Sequence, residues 1–234
     1  MPTSQSKSSG FIVAIDGPAG AGKSTVAAHL ASRFGLLNLE TGAMYRALAL
    51  KVLAVGISVE DGPAVLKLTE STTITFRPSG PGNCVLLDGT DVTGDIRTPE
   101  VTAAASRISV HGPVRDWMVS AQRALGRDSP RGLVMEGRDI GTVVFPEADV
   151  KLFLDASLES RGDRRFAQGT SESKSALLNE MRDRDNRDRS REQSPLVPAA
   201  DAILLDTTTL TLEQVIASVE SIVQETLSSR QSST

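Results

Sequence analysis

The sequence contains little cysteine, few aromatic residues and no excess of basic charge. Cys84 is the only cysteine, so the chain cannot form an internal disulfide, which is typical of a reducing compartment. One Trp, one Tyr and six Phe are too few for a protein that binds single strands by stacking bases on aromatic rings. The 25 basic and 29 acidic residues give a net charge of −4, whereas proteins that bind nucleic-acid backbones carry a positive excess. We therefore expect no nucleic-acid partner.

Long apolar runs are also missing. No run approaches the ~18 residues needed to cross a membrane, and residues 1–10 lack the apolar stretch of a secretion signal. Hydrophobic residues nevertheless make up 39% of the 234 residues, which is enough for a core and excludes general disorder. These features predict a cytoplasmic globular protein with no membrane partner, and we expect it to be a monomer.

What the sequence does contain is a regular alternation of short apolar runs with helical patterns, which predicts a parallel sheet covered by helices on both faces. The strands are predicted at residues 11–15, 36–39, 132–135, 150–154 and 202–205. The helices are predicted at residues 23–34, 43–55, 99–108, 114–125, 158–167, 177–191 and 212–227. Polar, serine-rich residues at 1–10 and 228–234 predict frayed ends.

Residues 72–96 interrupt this alternation. Their β-rich runs are separated by Gly, Pro and Asn, with turns expected near residues 79–83 and 88–90. The pattern predicts a small antiparallel sheet inserted between helices, as a subdomain and not as a second domain.

A phosphate-binding loop follows the first predicted strand. The pattern G-x-x-x-x-G-K-[ST] is matched by eight consecutive residues: Gly17, Pro18, Ala19, Gly20, Ala21, Gly22, Lys23 and Ser24. Glycines let backbone N–H groups surround phosphates, and the following helix presents its positive end to the anion. Lys23, in what we take to be a surface loop, is expected to reach the β- and γ-phosphates, and the Ser24 hydroxyl is expected to ligate Mg²⁺. The alternative, a glycine-rich turn without a ligand, is disfavoured by the strand and helix on either side.

The loop alone does not say what happens to the γ-phosphate. A GTPase needs an N-K-x-D segment, but the four asparagines are followed by Leu39, Cys84, Glu180 and Arg187. The D-x-x-G match at residues 91–94 lies in the inserted sheet and is interpreted as a turn. A motor ATPase would be longer, with an acidic strand end that activates water. Arginines in several separate segments instead favour a small-molecule kinase, because phosphoryl transfer between two polyanions requires their charge to be neutralised.

Two segments before residue 120 carry candidate acceptor residues. Arg46 is a candidate clamp for an acceptor phosphate and Thr41 a hydroxyl donor, although Thr41 could also be a helix N-cap beside a solvated Arg46. Between Ser106 and Arg115, Arg115 is the notable charge in a half-apolar helix, and a surface position is the alternative.

Two later segments carry more charge. Arg138 and Asp139 lie between glycines directly after a strand, where ligands bind in open α/β sheets, although a salt-bridged turn would have the same sequence. In residues 182–191, Arg184, Asp188 and Arg191 share one helical face, but i,i+4 pairs also allow a self-paired solvated helix. Upstream, one face is shared by Arg161, Arg164 and Arg165. A charged region of this kind between two helices predicts a closing lid.

These motifs, taken together, resemble those of bacterial cytidylate kinases. The similarity spans residues 11–228 and includes the inserted sheet. The segments that carry it, in order, are I-D-G-P-A-G-A-G-K-S-T (15–25), T-G-A-M-Y-R (41–46), G-R-D-I-G-T-V-V-F-P (137–146), R-D-R-D-N-R-D-R-S-R (182–191) and P-L-V-P-A-A-D-A (195–202).

The resemblance implies an α/β fold of the P-loop kinase type, with a five-stranded parallel sheet, helices on both faces, an antiparallel β insert and a helical lid. It implies one domain over residues 11–227, with disordered tails at 1–10 and 228–234. The core would comprise residues 11–40, 110–157 and 195–227, the monophosphate-binding subdomain residues 41–109, and the lid residues 158–194.

The resemblance also implies ATP-dependent phosphorylation of CMP, and of dCMP, with Mg²⁺. The ATP phosphates would be bound by residues 17–24 and Thr25, and Lys23, Arg161 and Arg165 would be catalytic. Arg46, Arg138 and Arg184 would hold the CMP phosphate, and Asp188 with Arg184 the ribose. Cytosine would be recognised by Ser106, Arg115, Asp139 and Arg191, with Thr41 nearby.

Chemistry supports one of these assignments, and two positions depart from the residue that is common in the family. A carboxylate such as Asp139 suits the cytosine 4-amino donor, whereas uracil would present a carbonyl to it. Thr41 stands where serine is common, and Glu136 where aspartate can occur, so Glu136 receives no role. The open alternatives are another kinase acting on UMP or a sugar acid, and a nucleotide-binding regulator without turnover.

Overall fold

The computed structural model describes residues 10–79, 82–127, 129–169 and 173–232. The expected frayed residues 1–9 lie outside them. In chain order, the elements are β1 (Ile12–Asp16), α1 (Lys23–Phe34), β2 (Leu37–Glu40), α2 (Thr41–Ala54), α3 (Gly62–Thr69), β3 (Ile74–Ser79), β4 (Gly82–Leu87), β5 (Thr90–Asp91), α4 (Pro99–Ile108), α5 (Gly112–Arg127), β6 (Leu133–Gly137), β7 (Val150–Asp155), α6 (Leu158–Ala167), α7 (Lys174–Ser190), β8 (Ile203–Asp206) and α8 (Leu212–Ser232). A 3₁₀ turn (Asp95–Arg97) precedes α4, and a π-helical turn (Ile140–Val144) follows β6.

The five predicted strands form one parallel sheet with the order β2-β6-β1-β7-β8, which confirms the predicted fold class. Side chains of β1 alternate between the two faces, because successive residues of a strand point in opposite directions. Val13 and Ile15 pack with α1 and α8, whereas Ala14 packs on the other face with Met135 and the π-helical turn. Both faces are therefore buried, as expected of a parallel sheet between helices.

The strand register brings the carboxyl ends of several strands to one edge of the sheet. Glu136 pairs with Ile15 and with Glu40, and Asp16 pairs with Gly137 and Phe153. Because parallel strands end at the same edge, the loops after β1, β2, β6 and β7 converge there.

The predicted insert is present as the antiparallel sheet β3-β4-β5. Its second turn is the two-residue loop Asp88–Gly89, in which both residues have positive φ, 50° and 84°, as in the tight hairpin turns that match strand twist. The first expected turn falls on residues 80 and 81, outside the described residues. Ile74 and Leu87 of the insert share a core with α2, α4 and α5, so the insert is packed onto the helical layer.

Three features differ from the sequence-based prediction. α3 was not predicted, although Asp61 caps it by accepting a hydrogen bond from the Ala64 N–H and a proline stands in its first turn. The π-helical turn was not predicted either. The prediction of a disordered tail from residue 228 is wrong as far as residue 232, because α8 continues to Ser232.

The end of α8 is held by local bonds that the polar composition concealed. The hydroxyls of Ser228 and Ser232 donate to carbonyls four residues earlier, at 2.9 and 3.0 Å. Arg230 Nη1 lies 2.8 Å from Asp149, whose other carboxylate oxygen accepts from the backbone N–H of Ile12. None of the helices in the described ranges combines the length and apolar character that a membrane span requires.

Candidate active site

The predicted phosphate loop connects β1 to α1. Gly17 and Gly20 have positive φ, 145° and 80°, and a side chain at Gly17 would collide with the backbone carbonyl of Leu154. Gly22 precedes α1 without any side-chain cap, so the first N–H groups of the helix are left for another partner. The predicted strand–loop–helix context is therefore present, and the loop has the geometry to bind an anion.

Lys23 is buried in this loop, contrary to the expectation of a surface position. Its side chain curls back and donates from Nζ to the Pro18 carbonyl at 2.8 Å, and the residue is only 5% exposed. Burial, and next the neighbouring Arg138 guanidinium, lower the pKa of Lys23 to about 7. A phosphate beside Lys23 would raise this pKa again, because an adjacent anion stabilises the ammonium.

Ser24, in the first turn of α1, donates a hydrogen bond to Glu136 of β6. Its Oγ lies 2.6 Å from Glu136 Oε1, and Glu136 is 6% exposed at the carboxyl end of β6. A hydroxyl beside a carboxylate at the phosphate loop is a donor set that suits Mg²⁺. The sequence analysis gave Glu136 no role, although its place at a strand end, next to the strand that precedes the loop, was a usable signal.

All nine predicted acceptor residues line one cavity of about 190 Å³ beside the loop. They come from α2, α4, α5, the turn after β6, and α7 with the residue that follows it. They are Thr41, Arg46, Ser106, Arg115, Arg138, Asp139, Arg184, Asp188 and Arg191. We call this the acceptor cavity. The strand register and the packing of α7 thus unite residues up to 150 positions apart.

Three arginines of the acceptor cavity have close carboxylate partners. Three arginine–carboxylate pairs have N–O distances of 2.5, 2.5 and 2.8 Å: Arg46–Glu40, Arg115–Asp139 and Arg138–Asp188. Such pairs orient side chains that would otherwise move freely, at a cost in desolvation. Arg115 is 2% exposed, so the alternative of a solvated surface arginine is wrong.

The cavity still holds donors without partners. Among the described residues, Arg46 Nε, Arg115 Nε and Arg191 Nη2 are buried and make no hydrogen bond. Burial, and next Arg138, lower the pKa of Arg184 to about 10. Buried donors left unpaired are costly, and an anionic, oxygen-rich ligand would satisfy them.

Tyr45 adds an aromatic surface that the sequence analysis did not assign. It lines the acceptor cavity, and the Arg115 guanidinium carbon lies 5.7 Å from its ring centre. Burial raises the pKa of Tyr45, which keeps the phenol neutral. A flat ring between charged groups could stack on a planar base. The signal was Tyr45 itself, inside the T-G-A-M-Y-R segment.

Thr41 and Ser106 each already make a hydrogen bond. Thr41 Oγ1 donates to the Glu136 carbonyl at 2.9 Å, which ties the start of α2 to the end of β6. Ser106 Oγ accepts from Arg187 Nη2 at 3.4 Å. Both hydroxyl oxygens keep capacity to bind a ligand.

Arg161 lies outside the acceptor cavity and is tied to the protein. Its Nε donates to the Ala156 carbonyl and its Nη1 to the Ala19 carbonyl, both at 2.9 Å, while Nη2 lies 2.6 Å from Asp185. All three nitrogens are therefore engaged, and the residue is 4% exposed. Arg161 thus links the phosphate loop to α6 and α7. The catalytic role that the resemblance implies for Arg161 stays a prediction.

Asp16, at the end of β1, holds the backbone turn that follows Asp139. Its two carboxylate oxygens accept from the backbone N–H groups of Ile140 and Gly141, at 2.8 and 2.7 Å, and so hold the π-helical turn that follows Asp139. Burial raises the pKa of Asp16 to about 6, although these two bonds act in the opposite direction. Asp16 was quoted in a motif but not assigned.

A second cavity, of about 540 Å³, also borders the phosphate loop. It is lined by loop residues including Thr25, by Arg164, Arg165 and Gln168 of α6 and its end, and by the segment after β8. Arg164 is anchored there, since it donates to Thr207 Oγ1 at 3.0 Å and to the Thr207 carbonyl. We call this the donor cavity.

Fold and site together define the class of protein. A phosphate loop after the central strand of a parallel sheet, with an arginine-lined cavity beside it, is the arrangement of a P-loop kinase.

Comparison with known proteins identifies the family. The family model described as cytidylate kinase matches residues 13–225. The cytidylate kinase of Geobacter sp. (strain M21) is 44% identical over 225 residues, which cover 94% of this chain and 96% of the relative. That of Geobacillus kaustophilus (strain HTA426) is 46% identical, with 91% and 96% covered, and that of Burkholderia ambifaria (strain MC40-6) is 48% identical, with 89% and 90% covered. The chain belongs to the cytidylate kinase family.

Proposed function

We propose that the protein transfers the γ-phosphoryl group of ATP directly to CMP, and to dCMP, giving CDP or dCDP. The observation that carries this proposal is that the acceptor and donor cavities meet at the same residues. Gly20, Lys23, Ser24 and Arg165 line both. Two nucleotides bound in these cavities would have their phosphates end to end at this junction, which is the geometry that in-line transfer requires.

The acceptor cavity supports CMP through its charge and its hydrogen-bonding groups. Arg46, Arg138 and Arg184 supply the cations for the monophosphate, because guanidinium groups bind phosphate through paired N–H donors. Asp188, 2.8 Å from Arg138, is an acceptor for ribose hydroxyls.

Cytosine is proposed to bind at the end lined by Ser106, Arg115, Asp139 and Arg191. Asp139 accepts from the 4-amino group, and the arginines donate to the ring nitrogen and the carbonyl. Uracil would oppose its carbonyl to the Asp139 carboxylate, so UMP is expected to be a poor acceptor. The Arg115–Asp139 pair orients both groups before the base arrives.

The ATP phosphates are proposed to bind residues 17–25, with Mg²⁺ held by Ser24 and supported by Glu136. Within the described ranges, no group of three or more His, Cys, Asp or Glu could hold a metal ion, so this cation would depend on phosphate oxygens for much of its coordination. When bound, Mg²⁺ supplies positive charge that neutralises the phosphates during transfer.

The chain's own contribution is positioning, charge neutralisation and exclusion of water. Lys23 and Arg165 lie at the junction and would stabilise charge on the transferred group. A phosphate monoester is already anionic at neutral pH, so no general base is required. Helices α6 and α7, expected to form a lid, would shield the junction from water.

A panel of acceptors tests this proposal. Purified protein with ATP and magnesium is incubated with CMP, dCMP, UMP, AMP, GMP or a sugar acid, and ADP and the product diphosphate are separated by ion-exchange chromatography. We expect CDP and dCDP, with little UDP. A product only from UMP or from a sugar acid would favour the alternative kinases, and nucleotide binding without any product would favour a regulator.

We also propose that the enzyme is a cytoplasmic monomer without a nucleic-acid partner. The single cysteine is typical of a reducing compartment, and the net charge of −4 disfavours a nucleic-acid partner. Light scattering coupled to gel filtration would detect a dimer.

A further inference from the structure

One residue of the donor cavity, Arg97, comes from the segment that also supplies residues of the acceptor cavity. Among the described residues that line this cavity, Arg97 alone belongs to the segment 41–109, the expected monophosphate-binding unit. The others come from the phosphate loop, from α6 and its end, and from the segment after β8. Arg97 therefore brings a cation of the acceptor unit to the place where donor phosphates are proposed to bind.

The backbone of Arg97 is fixed, whereas its side chain is available. Ile96 beside it is 1% exposed in the helical core, and the Arg97 N–H donates to the Gly94 carbonyl at 3.2 Å. On the other side, Thr98 caps α4 by accepting from the Val101 N–H. Within the described ranges the Arg97 guanidinium has neither a hydrogen bond nor an ion pair, unlike Arg164 across the cavity.

The unit that carries Arg97 also carries acceptor residues. α4 begins two residues after Arg97 and contains Ser106, and it packs on α2, which contains Tyr45 and Arg46. Ile96 belongs to the same core cluster as α2 and α4. Because such packed cores move as units, a displacement of the acceptor residues would carry Arg97 with them.

We propose that Arg97 binds the phosphates of the donor nucleotide and thereby couples donor binding to acceptor binding. The proposal rests on the proposed function for the identity of the two nucleotides and adds a donor-side residue to it. An unpaired guanidinium at the mouth of a phosphate site suits a bidentate contact with phosphate oxygens. If one rigid unit holds the acceptor and also contacts the donor, the two binding events are coupled, and any change that one ligand makes in the affinity for the other is the same in both directions. We expect this coupling to be positive.

The test measures binding of the ATP analogue AMP-PNP with magnesium by calorimetry, with and without saturating CMP. The variants are Arg97→Gln, Arg97→Lys and a control, Arg107→Gln. Arg107 is an arginine of the same unit that pairs with Glu60 at 2.5 Å, and its side chain is 54% exposed. Thermal unfolding of each variant checks that the fold is retained, which we expect because Arg97 is exposed.

We expect Arg97→Gln to weaken AMP-PNP binding about tenfold in the presence of CMP and to bring the coupling factor close to one. The AMP-PNP affinity of Arg97→Lys should fall between those of wild type and Arg97→Gln, since lysine keeps the charge but lacks the paired N–H donors of a guanidinium group. Arg107→Gln should behave as wild type. Equal AMP-PNP affinities for Arg97→Gln and Arg107→Gln would overturn the proposal. If Arg97→Gln binds AMP-PNP more weakly but keeps the wild-type coupling factor, the claim that Arg97 couples donor binding to acceptor binding is overturned.

This test separates its own failure from failure of the proposed function. AMP-PNP binding does not require turnover, so the phosphate contact of Arg97 is measured even if no CDP forms. If Arg97→Gln binds AMP-PNP like wild type while wild type makes CDP, only the inference about Arg97 fails.

Discussion

The acceptor and donor cavities adjoin, yet they are built from different chemistry. The acceptor cavity interleaves arginines with four carboxylates, Glu40, Glu136, Asp139 and Asp188. The donor cavity is lined by backbone, hydroxyls, apolar side chains and cations, and none of its lining residues in the described part of the chain is acidic. Carboxylates that accept hydrogen bonds discriminate among ligands, whereas cations and backbone N–H groups bind any polyphosphate. Changes on the acceptor side should therefore alter selectivity, and changes on the donor side should alter affinity and rate for all acceptors.

The largest effect is expected from Lys23→Ala, at the junction of the two cavities. Loss of a cation that neutralises the transferred group should lower kcat by about 10³-fold or more for every acceptor. The measurement is steady-state kinetics with CMP and dCMP, alongside circular dichroism of the variant. Turnover within tenfold of wild type would refute the role of Lys23.

Asp139→Asn should break the selectivity of the acceptor cavity. We expect kcat/KM for CMP to fall by about 10²-fold or more and that for UMP to fall much less, because an amide can face either base. The buried Arg115 loses its ionic partner, so thermal unfolding with and without CMP must accompany the kinetics. Asp116→Asn, an exposed neighbour of Arg115, is the matched control. Equal losses for CMP and UMP would show that Asp139 does not read the 4-amino group.

Glu136→Gln tests the carboxylate that accepts the Ser24 hydrogen bond beside the phosphate loop. The amide oxygen can still accept from Ser24, but the negative charge that supports the metal is lost. The magnesium concentration for half-maximal activity should rise by about tenfold to a hundredfold, and excess magnesium should restore part of the rate. Glu147→Gln, at an exposed position, serves as control. An unchanged magnesium dependence would remove Glu136 from the metal site.

The smallest effect on catalysis is expected from Asp16→Asn, which acts on stability. The folded-state pKa of Asp16 is raised from 3.8 to about 6 by burial, so the folded protein binds more protons than the unfolded chain between these values. The free energy of unfolding should therefore fall as pH rises from about 4 to about 6, with a slope from this group of at most about 1.4 kcal/mol per pH unit. Urea unfolding at several pH values should find this contribution missing in the variant. The same slope in both proteins would contradict the assignment.

The parts predicted best from the sequence are those encoded by neighbouring residues. The phosphate loop is eight consecutive residues, and the five strands are short apolar runs, so both could be located locally. The acceptor residues could be named from separate motifs, but their grouping depended on the resemblance. The tail beyond residue 228 was predicted wrongly, because composition does not reveal that serine hydroxyls can bond within a helix or that Arg230 meets Asp149.

The parts that could not be predicted depend on register and packing. Glu136 meets Ser24 only because β6 lies beside β1 in a particular register. Arg161 meets the Ala19 carbonyl and Asp185 only because α6 packs against α7 beside the phosphate loop. Long-range pairs of this kind leave no local pattern, since each partner has alternative surroundings until the fold exists.

The central claim, that two nucleotides bind end to end across Lys23 and Arg165, is tested most directly by a bisubstrate inhibitor. Adenosine and cytidine joined through five phosphates would span both cavities at once. The account predicts that this compound binds far more tightly than ATP or CMP alone and is competitive against each of them. Competition against only one of the two nucleotides would mean that the cavities do not act as one site, and would contradict the account.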